Sequence, residues 1–343
     1  MKAEIKSKLN PEQRTRLDEV IPLRTPFLLY VDPSSACNFK CRFCPTGHRD
    51  LLKASEYKRS VLDFALFEKL VRNLDMFPQP LKVMRMNKIG EPLLNKKLPE
   101  MIALAKTSGR VEYIDLATNA ALFSPVLLSR LVESGLDRIN ISLEGISRRQ
   151  YREHAQVDFD FDQLVKNIRW FYEHRGKCEV TIKIPANLLG DGDRQRFFDF
   201  FGDYCDRIFV EELSPIWPEF DLEQRAGVEV RDGVGQYHSN ARDKDVCTYI
   251  FYAMAVNSDG TVSACCPDWD QKLLVGDLHR KSLFDIWNSP EMRRLQLWNL
   301  QGKRRDNPVC RACGHVKYAQ IDDIDNYRQS LLKKFEEHCL LKV

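Results

Sequence analysis

This sequence has no apolar run that approaches the roughly 18 residues needed to cross a bilayer, which excludes an integral membrane protein. Its first residues, MKAEIKSKLNPEQRTRLDE, lack the apolar core of a secretory signal, so we expect a cytoplasmic protein with reduced thiols. Strong charge of one sign is also missing, because the formal net charge is +3 and the basic residues form no long run. Neither nucleic acid nor a membrane is therefore expected as a partner.

Cysteine, in contrast, is abundant. The chain of 343 residues contains 11 cysteines, a high count for a reducing compartment. Metal ligation or catalysis explains such a count better than disulfides do. The length allows one large domain with an appendage, or two ordinary domains.

Short β-branched or apolar runs alternate with amphipathic stretches between residues 27 and 212, a pattern typical of βα units on a parallel sheet. Six such units are too few for an ordinary closed barrel of eight strands but enough for a partial one. The sequence therefore predicts the α/β class, with a partial (β/α)6 TIM-like barrel and a small C-terminal domain. The predicted strands are FLLYV from Phe27, KVMRMN from Lys82, EYIDLA from Glu112, RINISL from Arg138, EVTIKI from Glu179 and RIFVEE from Arg207.

Helix signals and composition set the predicted boundaries. Ser124 as N-cap, Pro125 at the first position and Gly135 at the stop predict one helix. SLFDIWNSPEMRRLQLW from Ser282 is predicted as another, and the tail from Ile321 as one polar helix. We expect an N-terminal extension over 1–25, the barrel over 26–225, a cysteine-punctuated domain over 226–320 and the tail over 321–343.

Cys37, Cys41 and Cys44 follow the first predicted strand with C-x3-C-x2-C spacing. Active sites of such sheets lie at the carboxyl ends of the strands. Iron–sulfur clusters are held by thiolates on loops of this kind, and a cubane takes four ligands, so three local thiolates leave one iron open. Structural zinc closes all four positions, and a disulfide would leave one thiol over. The spacing therefore favours a four-iron cluster with an open iron.

At this loop the sequence resembles the radical SAM superfamily, in which a C-x3-C-x-aromatic-C loop follows the first strand of a partial barrel; Phe43 is the aromatic here. The resemblance extends over roughly residues 25 to 320. It implies that the open iron of a [4Fe–4S] cluster chelates S-adenosylmethionine. A reductant such as flavodoxin or ferredoxin then supplies the electron for cleavage to a 5′-deoxyadenosyl radical, which abstracts hydrogen from a substrate.

The resemblance also implies residues that contact S-adenosylmethionine. Gly90, Glu91 and Pro92 match the family's loop for the methionine amino group, although the same residues read alone describe a tight turn. Other polar residues follow the next predicted strands, where relatives contact ribose or carboxylate and where strand-end capping is the alternative. They are Thr118, Asn119, Ser142, Glu144 and Asn187.

A second cysteine set lies in the predicted C-terminal domain. Its members are Cys247, Cys265, Cys310 and Cys313, and read alone they suit a zinc knuckle or a cluster. The C-x12-G-x4-C spacing resembles the SPASM and twitch extensions of radical SAM enzymes, which implies one auxiliary [4Fe–4S] cluster. The chain departs from the full SPASM pattern because, after the C-x2-C pair, it offers only the distant Cys339.

Cys266 follows Cys265 directly, and neighbouring side chains in an extended segment point to opposite faces. It is a candidate hydrogen-atom donor to a substrate radical, and a buried small hydrophobe is the alternative. Glu211 and Glu212, at the end of the sixth predicted strand, are candidate proton acceptors, with a solvated strand end as the alternative.

The resemblance leads us to expect an enzyme for a small-molecule substrate, a polyol, sugar or aminocyclitol. Loss of a proton and an electron after hydrogen abstraction gives a ketone, and quenching by a thiol gives an epimer. A peptide maturase is the alternative, disfavoured because only about two dozen residues precede the first predicted strand. An electron carrier or zinc scaffold has no use for an open iron.

Overall fold

Ten strands form a single sheet in the computed structural model, which describes residues 1–7, 14–55 and 57–340, with side chains described as far as residue 337. The strands are β1 (Glu4–Ile5), β2 (Leu28–Val31), β3 (Leu81–Arg85), β4 (Val111–Thr118), β5 (Arg138–Ser142), β6 (Glu179–Pro185), β7 (Arg207–Glu211), β8 (Ala253–Val256), β9 (Thr261–Ser263) and β10 (Leu274–Asp277). Their order is β1-β7-β6-β5-β4-β3-β2-β8-β9-β10. All pairs from β1 to β8 are parallel, and β8, β9 and β10 pair antiparallel.

The α/β class and the partial barrel predicted from the sequence are confirmed. The six predicted strands are β2 to β7, and consecutive strands are neighbours in the sheet, as a series of βα units requires. The predicted strand from Lys82 ends early, at Arg85. Beyond it the side chain of Asn87, rather than a backbone carbonyl, accepts the amide of Ala117 (3.0 Å).

Helices connect the parallel strands and cover the C-terminal part of the sheet. They are α1 (Leu17–Val20), α2 (Arg49–Ala54), α3 (Phe64–Asn73), α4 (Leu98–Thr107), α5 (Pro125–Glu133), α6 (Arg148–His154), α7 (Phe161–His174), α8 (Asp193–Phe201), α9 (Leu222–Ala226), α10 (Tyr249–Tyr252), α11 (Leu283–Trp287), α12 (Pro290–Leu300), α13 (Pro308–Ala312), α14 (His315–Tyr318) and α15 (Arg328–Leu340). Along the described ranges, none of these helices has the length and apolar character that a membrane span requires.

Helix caps decide where the helix predictions hold. Ser124 caps α5 by accepting the amide of Leu127, as predicted. The single helix predicted from Ser282 is wrong, because Ser289 caps a new helix, α12, and Pro290 opens it. The tail helix begins at Arg328 rather than at Ile321, after a 3-10 turn over Asp325–Tyr327.

One hydrophobic core underlies the whole sheet. It contains Leu29 of β2, Met254 of β8 and Phe335 of α15, each at most 1% exposed. The Trp287 indole N–H also donates to the carbonyl of Leu23 (3.1 Å), which ties α11 to the chain entering β2. The C-terminal region and the barrel therefore share their interior, with the carboxyl ends of β2 to β7 left to build a site.

Candidate active site

The first cysteine loop begins at the carboxyl end of β2. Two consecutive turns shape it, because Cys44 donates its amide to the carbonyl of Cys41 (3.1 Å) and Gly47 donates to the carbonyl of Cys44 (2.9 Å). Burial, together with the charges of Glu91 and Cys44, raises the pKa of the Cys37 thiol to about 12. Burial also raises the pKa of the Cys41 thiol, and charges on Cys44 and Cys37 act in the same direction. Three thiols whose charges act on one another suit a multi-iron cluster, whose binding would replace their protons.

The Gly90 loop packs directly on the backbone that leads into the cysteine loop. A Cβ at Gly90 would lie 2.0 Å from the carbonyl oxygen of Ser34 and 2.5 Å from that of Ala36. The next residue, Glu91, donates its amide to the same Ala36 carbonyl (2.8 Å). The absence of a side chain at position 90 therefore brings the end of β3 against the cysteine loop.

Gly90→Ala is expected to destabilise the protein by about 3 kcal/mol, because the obstructing atoms are backbone and must move. We expect a lower midpoint of thermal unfolding and weaker S-adenosylmethionine binding in anaerobic titrations. Gly190→Ala is the matched control, since its nearest new neighbour is the Asp193 carboxylate at 3.5 Å. Equal losses in both variants would contradict a specific packing role for Gly90.

Glu91 joins the ends of β3 and β4. Its buried carboxylate accepts hydrogen bonds from the Thr118 hydroxyl (2.6 Å) and from the amides of Asn119 (2.9 Å) and Leu93 (3.0 Å). Burial raises the pKa of Glu91 to about 7, against the lowering effect of these hydrogen bonds. Pro92 follows as the first residue of a 3-10 turn. Because its carboxylate accepts from three donors, Glu91 fixes the loop after β3 against the loop after β4.

Asn119 connects this network to the cysteine loop. Its amide donates to the side-chain oxygen of Asn38 (2.8 Å) and lies 3.9 Å from the sulfur of Cys37. Sequence analysis missed Asn38, whose position beside Cys37 was the only signal.

A cavity of about 180 Å³, here called the strand-end cavity, lies where β5, β6 and β7 end. Phe43 closes it on the cysteine-loop side. Its polar or charged lining residues are Ser142, Glu144, Lys183, Glu211, Glu212, Ser214 and Gln236. Burial raises the pKa of Glu144 to about 8, which Lys183 opposes and Glu211 reinforces. Lys183 forms an ion pair with Glu211. Lys183 was also missed from the sequence, although a lysine inside an apolar strand signals an inward charge.

Two predicted residues are held by partners outside this group, although one of them, Glu212, lines the strand-end cavity. The side-chain amide of Asn187 donates to the carbonyl of Glu229 (3.0 Å) and accepts from the amide of Leu213 (2.9 Å), so backbone groups occupy it. Glu212 forms an ion pair with Arg231 (2.9 Å). Glu211, in contrast, is oriented by Lys183 and Gln236 within the barrel.

A larger cavity of about 570 Å³, here called the central cavity, runs through the barrel interior to the C-terminal region. Its wall includes Tyr30 and Arg85 from the barrel and Tyr249 and Cys266 from the C-terminal region. The residues shared by the central and strand-end cavities are Ser142, Lys183, Ile216, Trp217 and Gln236. The two spaces are therefore separated by single side chains.

The four cysteines of the second set line one further cavity, the auxiliary cavity, of about 30 Å³. Burial raises the pKa of Cys265, and charges on Cys313, Cys247 and Cys310 raise it further. Four thiols in mutual electrostatic contact fit a fully ligated cluster. The Gln320 amide donates to the Cys247 sulfur (3.0 Å). The side chain of Cys339 lies outside the described residues.

Cys265 and Cys266 belong to different cavities. Cys265 lines the auxiliary cavity, and Cys266 lines the central cavity. Tyr249 and His315 line both, with ring centroids 4.5 Å apart, and the Tyr249 hydroxyl lies 2.7 Å from that of Tyr30. A wall one residue thick therefore divides the second cysteine set from the barrel interior.

Models of two protein families match the chain. The radical SAM superfamily model matches residues 31–200, and an iron–sulfur cluster-binding domain model, SPASM, matches residues 247–314. The first match begins at the last residue of β2 and contains the first cysteine loop and the strands β3 to β6. The second contains all four cysteines of the second set.

Curated relatives cover different shares of the chain. A probable GTP 3′,8-cyclase of Metallosphaera sedula is 27% identical over 192 residues, 55% of this chain and 56% of that protein. This chain therefore spans little more than half of that relative. The tungsten-containing aldehyde ferredoxin oxidoreductase cofactor-modifying protein of Pyrococcus furiosus is 28% identical over 337 residues, 86% of this chain and 90% of that protein.

Solved structures share the fold at low identity. BtrN in complex with AdoMet and 2-DOIA is 17% identical with a TM-score of 0.55, over 87% of this chain and 97% of BtrN. Streptococcus suis SuiB bound to S-adenosylmethionine is 17% identical with a TM-score of 0.60, over 90% of this chain and 76% of SuiB. Native anSMEcpe with bound AdoMet is 15% identical with a TM-score of 0.57, over 92% of this chain and 98% of that one.

Proposed function

Because the chain belongs to the radical SAM superfamily and carries a SPASM cluster-binding region, we propose that it oxidises a carbinol carbon of a small polyol, sugar or aminocyclitol. Membership of these families gives it a [4Fe–4S] cluster, S-adenosylmethionine and an auxiliary iron–sulfur cluster as cofactors. When bound, these groups supply a 5′-deoxyadenosyl radical for hydrogen abstraction and an acceptor for one electron. A low-potential protein such as flavodoxin or ferredoxin is the proposed reductant.

The proposal assigns the two cysteine sets to separate tasks. Cys37, Cys41 and Cys44 would hold the first cluster, with S-adenosylmethionine on its open iron. The auxiliary cluster would take the second set, Cys247, Cys265, Cys310 and Cys313. The proposed S-adenosylmethionine contacts are Gly90, Glu91, Pro92, Thr118, Asn119, Ser142 and Glu144; Asn187 is the least supported because backbone groups occupy its amide.

The location of the central cavity carries the proposal. Ser142 and Lys183 separate it from the strand-end cavity, and Tyr249 and His315 separate it from the auxiliary cavity. A substrate in the central cavity would lie between the first cysteine loop, where the radical would form, and the second cysteine set, which would accept an electron. The volume of about 570 Å³ is in the range of pockets for small molecules.

The names of two relatives also support a small molecule. The Pyrococcus furiosus protein, which matches most of this chain, is by name a cofactor-modifying protein. The cyclase of Metallosphaera sedula is by name an enzyme of GTP. The structures that share the fold include SuiB bound to the precursor peptide SuiA, so peptides belong in the test as the competing substrate class.

Glu211 is the proposed acceptor of the carbinol proton. Its carboxylate lies in the strand-end cavity wall, where Lys183 and Gln236 orient it toward the barrel interior. Removal of the hydroxyl proton by Glu211, together with loss of one electron from the carbon radical, leaves a ketone. The Lys183 ammonium, which can only donate, then keeps its hydrogen bond to a carboxyl oxygen of the neutralised acid.

Glu211→Gln is expected to lower formation of the oxidised product by about 100-fold, because a positioned general base typically contributes that much or more. Cleavage of S-adenosylmethionine should persist, so the ratio of 5′-deoxyadenosine to product rises. Glu212→Gln is the matched control, since its carboxylate pairs with Arg231 (2.9 Å). An equal effect of both substitutions on the ratio would remove Glu211 from this role.

Epimerisation is the second candidate, and the position of Cys266 favours it. The thiol lines the central cavity, where it could return a hydrogen atom to a substrate radical. The S–H bond breaks, a C–H bond forms, and an external reductant must restore the thiol.

The deciding experiment is an anaerobic assay of the reconstituted enzyme in heavy water with pools of sugars, nucleotide sugars, aminocyclitols and peptides. Loss of two hydrogens from a small molecule, read by mass spectrometry, supports the oxidation. A gain of one deuterium that disappears in Cys266→Ser supports epimerisation. Turnover of the peptide pool alone would overturn the proposal.

A further inference from the structure

The interior of this barrel is polar at its middle. Packed (β/α) barrels fill this space with branched apolar side chains. Here neighbouring strands place Tyr30, Arg85 and Asp115 side by side in register, and Lys183 lies opposite Ser142 two strands further on. Buried polar groups cost free energy unless they are paired, so a polar barrel interior indicates a binding function.

Arg85 is the charged group at the centre of this layer. It donates from Nε and Nη2 to the two oxygens of Asp115 (2.7 and 2.6 Å) and from Nη1 to the Tyr30 hydroxyl (3.2 Å). Burial opposes its charge, but Asp115 and Tyr30 hold the pKa of Arg85 well above its usual value. A guanidinium has five N–H groups, so two remain on a side chain that lines the central cavity.

Two buried polar atoms lie in the barrel interior one layer below Ser142 and Lys183. Asn140 and Thr181 are register partners, each 2% exposed, and neither the Asn140 oxygen nor the Thr181 hydroxyl has a hydrogen-bond partner in the described part of the chain. Residues two apart in a strand share a face, so both lie below Ser142 and Lys183. Such unsatisfied groups are expected to meet water or a polar ligand.

The charges of the central cavity wall favour an anion. Its basic residues are Arg14, Lys82, Arg85, Lys88 and Lys183, against Asp322 as the acidic one. Three of the bases have carboxylate partners, in the pairs Arg14–Asp322, Arg85–Asp115 and Lys183–Glu211. Lys88 donates to the Asn257 side-chain oxygen (2.6 Å) and to the Asp268 carbonyl (2.8 Å), and its charge acts on the buried carboxyls of Asp32 and Asp268. Bases therefore outnumber acids among the residues that line the cavity, although most of the bases have acidic neighbours behind the wall.

We propose that the substrate carries a phosphate or carboxylate group and that Arg85, held in place by Asp115, binds this group at the middle of the barrel. The inference rests on the proposed function, because it names the substrate class for the same cavity. A guanidinium with two N–H groups remaining recognises an oxyanion with paired, charge-assisted hydrogen bonds. The anionic group anchors one end of the molecule and leaves its carbinol end near Ser142 and Lys183.

Equilibrium binding to the reconstituted enzyme, measured by anaerobic calorimetry, tests this inference without turnover. The probes are matched pairs, glucose with glucose 6-phosphate and myo-inositol with myo-inositol 1-phosphate, with glucuronate for carboxylates. We expect each phosphate ester to bind at least about tenfold more tightly than its neutral partner, and less tightly as salt rises. Binding of glucuronate but of neither ester would identify a carboxylate as the anion.

The double variant Arg85→Gln with Asp115→Asn removes the pair without leaving a buried charge. It is expected to lose the preference for the anionic probes while keeping its iron content and S-adenosylmethionine binding. Lys82→Gln is the matched control, because this lysine also lines the central cavity but lies over the Phe27 ring at the exposed start of β3. It should change the preference by less than about twofold.

The outcomes separate this inference from the proposed function. Equal binding of charged and neutral probes, failure of every anionic probe at millimolar concentration, or an unchanged preference in the double variant would overturn it. Tight binding of anions by an enzyme that oxidises no small molecule would instead keep the anion site and overturn the proposed reaction.

Discussion

The Cys41→Ala variant is expected to lose S-adenosylmethionine cleavage completely while keeping its fold. Cys41 is one of only three thiols in the first loop, and a cluster that already leaves one iron open cannot lose another ligand and remain bound. Iron content should fall from about eight to about four atoms per chain, as expected for loss of one four-iron cluster. Chromatographic measurement of 5′-deoxyadenosine follows the activity.

Cys178→Ala is the control for this change. Cys178 is 3% exposed and belongs to the hydrophobic core. We expect it to keep both its iron and its cleavage activity, apart from a modest loss of thermal stability. If Cys41→Ala still formed 5′-deoxyadenosine at the wild-type rate, the first loop would not be the cluster site.

The Cys310→Ala variant is expected to separate hydrogen abstraction from oxidation. Cys310 lies at the start of α13, where Asn307 caps its amide, and lines the auxiliary cavity with the other three cysteines of the second set. Because the first loop is left intact, cleavage of S-adenosylmethionine should continue. Formation of the oxidised product should fall below detection, since no acceptor remains for the second electron.

Two measurements make this result decisive. Circular dichroism reports whether the fold survives, and electron paramagnetic resonance of the reduced enzyme reports the first cluster alone. A deuterated substrate that transfers its label to 5′-deoxyadenosine and is then recovered unoxidised fulfils the expectation. Unchanged yields of product would show that the auxiliary site takes no part in the oxidation.

Local sequence signals predicted the parallel strands and the two cysteine sets of this protein well. β-branched runs and turn residues are local properties, so β2 to β7 could be placed to within one or two residues. Cysteine spacing is equally local, which is why both sets were recognised. The Ser289–Pro290 break between α11 and α12 was also visible in the sequence, but the amphipathic pattern on both sides concealed it.

The interior of the site depends on contacts between distant parts of the chain, and these could not be predicted. Tyr30 and Tyr249 share a hydrogen bond across 219 positions, and Lys183 reaches Glu211 from a neighbouring strand. No spacing rule relates such residues, because the sheet order brings them together. Asn187 shows the converse, since it follows a strand as expected but a 3-10 turn directs its amide to the backbone.

The ladder between β2 and β8 makes the two cysteine sites parts of one rigid body. Four residues of β2, Leu28 to Val31, pair in register with Ala253 to Val256, so the strand that leads to the first loop is bonded to the strand that follows Cys247. In a protein whose redox centres sit on hinged modules, distance can regulate electron flow. Here a change of distance would require breaking the sheet, so the separation of the centres is fixed when the chain folds. The rate of the proposed electron transfer would therefore change in evolution through substitutions in the thin wall between the sites, and not through domain movement.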